Sequence, residues 1–168
     1  MARRGNAASR RSAITPGGGD APGLNAVIRG VVMAALHHGW ECVGIRNGYD
    51  GLLDPRMVAA GLTPLTPERV SGITHLGGTI LGTTNAGNPF KYPVRTPKGE
   101  QERDRSDELL GELKRNRIDA LVAIGGDGSL GIANGLAQKG LRVVGVPKTI
   151  DNDLESTVIT FGFDSAVS

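Results

Sequence analysis

Two short apolar runs, Ala120 to Ile124 (ALVAI) and Arg142 to Val146 (RVVGV), enclose a glycine-rich turn and a stretch of helical spacing, and nothing else in the chain limits the fold so strongly. A strand that is apolar at successive positions belongs in a sheet covered on both faces. Between the runs, Leu130 to Lys139 fits a helix that Gly140 ends. Strand, helix and strand at this spacing predict parallel strands joined by a right-handed crossover. Ligands of such sheets bind beyond the carboxyl ends of the strands.

The upstream sequence extends the pattern. Ala26 to His38 places Val27, Ile28, Val31, Val32 and Ala35 at helical spacing, and Glu41 to Ile45 (ECVGI) reads as a strand. Thr66-Pro67-Glu68 resembles a helix start, with Thr as cap and Pro in the first turn. Residues 84 to 102 carry three prolines and no clear period, which predicts a long mobile loop. Ser106 to Asn116 predicts a polar helix with Leu109, Leu110 and Leu113 on one face. The expected class is α/β, a Rossmann-like parallel sheet with flanking helices.

Composition narrows the function. The 168 residues include 26 glycines, well above the ~7% of an average protein. Many gather in GGGDAPG, LGGTILGT and IGGDGS, as loops do where backbone must come close to a ligand. Four arginines among the first eleven residues outweigh the net charge of +2, so the rest of the chain is slightly acidic. That body offers no basic face for nucleic acid. No apolar run approaches the ~20 residues that span a bilayer, so no membrane role is expected. The single cysteine, Cys42, excludes a disulfide framework and a thiolate zinc site. A cytoplasmic protein is expected, with residues 1–13 forming a disordered basic leader that faintly resembles a transit peptide.

Two motifs carry chemistry. Gly125-Gly126-Asp127-Gly128-Ser129 leaves a strand and enters a helix, so its N–H groups can face a phosphate at the positive helix end. Asp127 adds a carboxylate suited to Mg²⁺ held against phosphate oxygens. An ordinary turn with a surface Asp would read the same way, and GGDG loops also occur in NAD kinases and lipid kinases. The second motif is Pro147 to Asp153 (PKTIDND), directly after RVVGV. One of its two aspartates can take the proton of an attacking hydroxyl while the other organises metal or holds the first in place. A polar turn rich in Asp and Asn is the competing account. The loop Gly17 to Asn25 could also cradle phosphate, but it fits neither GxxxxGK[ST] nor GxGxxG.

GGDAPGLNAVIRG (18–30), GGTILGT (77–83), IGGDGS (124–129), PKTIDND (147–153) and TFGFDSA (160–166) follow the order found in phosphofructokinases, and the chain resembles that family from about Ile14 to its last residue. The resemblance implies the first domain of a two-domain fold, with residues 14–168 as the nucleotide-binding domain and the sugar-phosphate half absent. It implies transfer of a phosphoryl group from ATP, with Mg²⁺, to the 1-hydroxyl of fructose 6-phosphate, in a homo-oligomer when full length. Gly18, Tyr49 and Gly126 to Ser129, including Gly128, would line the nucleotide site. Asp127 and Asp153 would serve the metal, and Asp151 would be the base. Lys148, Thr149 and Ile150 would lie with Asp151 on the substrate side.

The family has two phosphoryl donors. Pyrophosphate-dependent members usually carry Asp where this chain has Gly128, which here leaves room for ATP. Lys148 is the residue usual in pyrophosphate enzymes. ATP is the first reading, with pyrophosphate dependence or a non-catalytic nucleotide-binding fragment as alternatives. Family members are about twice this length, so the chain alone is expected to be nearly inactive. The family's apolar first strand is replaced by Arg10 to Pro16 (RRSAITP), which predicts a poorly formed central strand, since proline cannot donate to a ladder. An arginine that contacts ATP in many members falls near Asn85, where Lys91 is a candidate substitute.

Overall fold

The computed structural model of the chain describes residues 10–155 and 157–167. Six strands form one sheet: β1 (Arg11–Pro16), β2 (Glu41–Ile45), β3 (Leu62–Pro64), β6 (Ala120–Gly125), β7 (Val143–Thr149) and β8 (Phe161–Gly162). Their order is β3-β2-β1-β6-β7-β8, parallel throughout except for β3, which runs antiparallel to β2. The helices are α1 (Leu24–His37), α2 (Asp50–Leu53), α3 (Ser106–Arg115), α4 (Asp127–Gln138) and α5 (Phe163–Val167). From β1 the chain builds outward to β2 and β3, then returns to β6 and builds the other way. The order therefore reverses between β1 and β6, and a crevice opens there at the carboxyl ends.

Alternation along the strands divides the core. Ala13, Val43, Leu121 and Ala123 face a cluster with Leu109, Leu113 and Leu136 from α3 and α4. Ile14, Cys42 and Ile124 face the opposite cluster, with Leu24, Ile28 and Val32 of α1 and Leu81. Gly44 lies under Leu81, where a Cβ would stand 2.2 Å from its Cδ2, so this contact requires glycine.

The first strand corrects the sequence reading. β1 is central and well paired, and Ser12 to Thr15 are buried, with Ala13 and Ile14 fully so. Pro16 is tolerated for a geometric reason. The Gly17 amide donates to Ile124 O at 2.8 Å on β6, so the preceding nitrogen faces β2. The β1–β2 register ends at Ile14 and Gly44, and no ladder bond is lost. At the other end, the Arg11 guanidinium pairs with Glu41 at 2.6 Å, and its amide donates to Asp119. Residues 11–13 thus belong to the sheet and not to a leader; residues 1–9 of that expected leader lie outside the described residues.

Residues 84 to 102 also differ from expectation. Pro89–Lys91 forms a 3-10 turn that leads into a hairpin of β4 (Tyr92–Thr96) and β5 (Gly99–Arg103). Phe90 anchors the segment on α4 at Gly135, where a Cβ would come within 2.7 Å of the ring. Tyr92 adds a hydrogen bond from its hydroxyl to Asp50 and a cation–π contact with Arg105. The expected helix start at Thr66 is instead a run of turns in which Val70 N reaches Thr66 O. No helix among the described residues is long and apolar enough to cross a membrane.

The β8 side of the sheet is thinly covered. Val144, Val158, Ile159 and Phe161 are all more than half exposed. By contrast, Leu121 is fully buried. Leu121→Ala should lower unfolding free energy by about 2–5 kcal/mol, while Val144→Ala should change it by less than about 0.5 kcal/mol, both read from urea denaturation.

Candidate functional site

A cleft of about 560 Å³ occupies the crevice between β1 and β6. Its walls are the Gly17–Asp20 loop, residues 84–88, the first turn of α4, and residues 148–151, with Tyr49 at one side. Gly18, Tyr49, Gly126, Asp127, Gly128, Ser129, Lys148, Thr149, Ile150 and Asp151 all line it. Of the expected site residues Asp153 does not, nor does the candidate Lys91.

GGDGS is not a free loop. Helix α4 begins at Asp127, three residues earlier than its periodicity indicates, because Leu130 N already bonds Gly126 O at 2.9 Å. Gly126 is the cap, and no side chain caps the helix. The amides of the first turn therefore have no intrahelical partner and stand at the cleft. Ser129 serves packing as well as lining. Its side chain sits in a niche formed by two glycines, where a Cβ on Gly17 would lie 2.6 Å from Ser129 Oγ and one on Gly125 2.5 Å from Ser129 Cβ. Gly128 is different, since a Cβ there would meet nothing within 4 Å.

The opposite wall is tied by backbone. Gly18, at φ 80°, donates to Thr84 O, and its carbonyl accepts from Thr83 Oγ1 at 2.6 Å. Asn25 is buried at the start of α1, donating to Leu76 O and accepting from Ile80 N, which fixes the GGTILG segment behind this wall. The ammonium of Lys148 is buried and donates to Gly19 O, joining β7 to the glycine loop. Burial pushes its pKa below the ordinary lysine value, with Asp20 partly offsetting the shift. Tyr49 is buried too, and burial pushes its phenol pKa upward.

Thr149 hydroxyl is committed within its own loop: it accepts from Asp151 N at 3.2 Å and donates to Asp153 Oδ1 at 3.1 Å. Asp153 thus acts on the loop from outside the cleft. Lys91 is exposed and does not line the cleft, where Asn85 and Asn88 do. Among the described residues, Asp20, Asp127 and Asp151 give the lining three carboxylates against the single ammonium of Lys148. Thr15, whose buried hydroxyl lacks a hydrogen-bond partner among the described residues, also lines it, and neither Thr15 nor the 84–88 asparagines belong to a motif the sequence offers.

Magnesium is tested by these donors. Among the described residues no three His, Cys, Asp or Glu side chains cluster as a protein-only cage. Mg²⁺ needs none, since it commonly uses one or two carboxylates and completes its shell with water and phosphate. Asp127, beside the open amides of α4, fits that pattern.

Comparison with known proteins gives a consistent answer. The family model described as phosphofructokinase matches residues 11–168. The chain is 48% identical over 159 residues to an ATP-dependent 6-phosphofructokinase of Clostridium perfringens, covering 94% of this chain and 42% of that one. It is 45% identical over 157 residues to a pyrophosphate–fructose 6-phosphate 1-phosphotransferase of Dictyoglomus thermophilum, covering 94% and 41%. The crystal structure of Pichia pastoris phosphofructokinase in the T-state superposes with a TM-score of 0.77 at 31% identity, over 93% of this chain and 17% of that one. The chain spans less than half the length of the curated relatives it matches.

The glycine niche yields a stability test. Gly125→Ala should cost about 1–3 kcal/mol by overpacking against Ser129, and Ser129→Gly in the same chain should restore part of that loss in urea unfolding.

Proposed function

The chain belongs to the phosphofructokinase family, and from that premise we propose that residues 14–168 of the expected domain, together with the start of β1, form the donor half of a 6-phosphofructokinase. The proposed reaction moves the γ-phosphoryl group of ATP to the 1-hydroxyl of fructose 6-phosphate. One observation carries this reading: Asp151 and the open first turn of α4 with Asp127 line the same cleft.

Each group then has a task. The α4 amides and the Gly18 loop hold donor phosphates, where the helix end favours negative charge. Asp127 holds Mg²⁺, which when bound neutralises charge on the transferring group. Asp151 accepts the proton as the sugar oxygen bonds to phosphorus and the bond to the ADP oxygen breaks. Thr149 and Asp153 fix the loop that bears Asp151. Lys148 braces the glycine loop beside the phosphates, and Ile150 and Tyr49 give the cleft apolar and aromatic walls.

The cleft's own charge supports the reading that further residues complete the site. Three carboxylates and one ammonium cannot neutralise a polyphosphate and a sugar phosphate, and no arginine lines the cleft among the described residues. Stabilising charge on the transferring group is normally the main catalytic contribution. The 168 residues alone are therefore proposed to bind donor but turn over poorly, with sugar-phosphate grip and oligomer contacts supplied elsewhere in the intact, cytoplasmic protein.

Donor choice rests on Gly128. A side chain there would occupy cleft space without striking the protein, so it would oppose ligand and leave the fold intact. Lys148 favours the second reading, pyrophosphate as donor, and relatives bearing both names match at similar identity. In the intact protein, Gly128→Asp should abolish ATP use while sparing any pyrophosphate use; unchanged ATP turnover in a coupled assay excludes the steric basis. Asp151→Ala should lower kcat about 10²–10⁴-fold with little change in the KM for ATP, and an equal loss of ATP affinity would make the residue structural.

A further inference from the structure

Asn152 stands between the two aspartates of the 151–153 loop with φ at 50°, in the left-handed region that asparagine tolerates better than most residues. Its side chain reaches across the loop rather than into the cleft. Its Oδ1 accepts from Thr160 N and from Thr160 Oγ1, each at 3.2 Å, and its Nδ2 donates to Val158 O at 3.5 Å. Thr160 is buried, and its hydroxyl also lies 3.5 Å from Thr149 O. Directly beyond this point β7 and β8 pair, Lys148 with Phe161 and Thr149 with Gly162. Gly162, at φ 111°, permits the approach, since a Cβ there would stand 2.9 Å from Thr149 O.

The loop that leaves β7 at Thr149 and returns at Thr160 is therefore closed at its base by an Asn152–Thr160 clip. Asp151 projects from the clipped turn and is exposed, lining the cleft. Its side chain has no hydrogen bond of its own among those described to hold it in place, and its backbone is held by Thr149 on one side and by the Asn152 turn on the other.

We propose that Asn152 is a positioning residue for phosphoryl transfer, clipping the Asp151 loop to Thr160 so that the carboxylate is presented at the cleft in one orientation. This rests on the donor-half reading above. The backbone conformation and the hydrogen bonds are separable, because glycine keeps the first and loses the second. A misplacement on the order of 1 Å can cost ~10²-fold in rate without weakening ground-state binding.

The test uses the intact protein. Asn152→Gly should lower kcat by about 10–100-fold with the KM for ATP changed less than ~3-fold, and Thr160→Val should do the same to a smaller degree. Thr160→Ser, which keeps the hydroxyl, should restore activity. The double variant Asn152→Gly with Thr160→Val should lose no more than the worse single variant, because both remove one clip. Additive losses, or a wild-type kcat in Asn152→Gly, overturn the proposal. A parallel fall in kcat, ATP affinity and unfolding midpoint also overturns it, in favour of a purely structural role. Amide hydrogen exchange provides the readout that does not depend on turnover: the Thr160 amide should exchange faster in Asn152→Gly than in wild type. If wild type phosphorylates fructose 6-phosphate with neither ATP nor pyrophosphate, the functional reading fails. Equal exchange in the two proteins is a separate result and removes the clip itself.

Discussion

The spacing between β1 and β6 sets the terms for everything at the carboxyl end of the sheet. There, Gly17 donates to Ile124 O, and the side chain of Ser129 fills the space that two missing Cβ atoms leave. A helix packed this closely to the strand ends points its first turn into the crevice at a fixed angle. If Gly125 carried a methyl group, it would stand 2.5 Å from Ser129 Cβ, and α4 would have to withdraw with its open amides. The orientation of an electrostatic element is thus set by a purely steric contact, since dispersion and repulsion act over tenths of an ångström while the helix end acts over a full turn.

The cleft is chemically lopsided. Backbone amides supply its attraction for anions, while its charged side chains are mostly acids. Lys148, the one cation of the lining among the described residues, is already bonded to the Gly19 carbonyl, so a phosphate would share that ammonium with the loop. Such a surface suits a ligand that arrives with its own divalent cation. The Thr149 hydroxyl is engaged on both sides in the same loop, which makes it a brace before it is a substrate contact.

Much of this architecture was legible in the sequence. β2 has the limits the sequence indicates, and β6 starts where expected and runs one residue further, because continuous apolar runs have few other uses. The resemblance, drawn from five motifs, names Gly18, Gly126, Gly128 and Asp151, all of which line the cleft. What escaped was information held between distant residues. RRSAITP reads as a poor strand until the sheet order shows that Pro16 points its nitrogen past the end of the β2 ladder. The 84–102 segment reads as loop because its order comes from Phe90 packing on Gly135, forty-five positions later in the chain. The start of α4 is obscured for a local reason: Asp127 to Ser129 are poor helix formers, and of the three only Ser129 packs into the glycine niche. Asp153, which the resemblance assigns to the metal, accepts a hydrogen bond from Thr149 and does not itself line the cleft.

The two edges of the sheet are finished unequally. β3 is a short antiparallel strand ending in Pro64, which withholds a donor and discourages further pairing on that side. The β8 edge has only two paired residues, and beside it Val144, Val158, Ile159 and Phe161 remain open to water. The two edges therefore differ in what water meets, a proline-ended strand at one and apolar side chains at the other, and the loop bearing Asp151 lies at the apolar one.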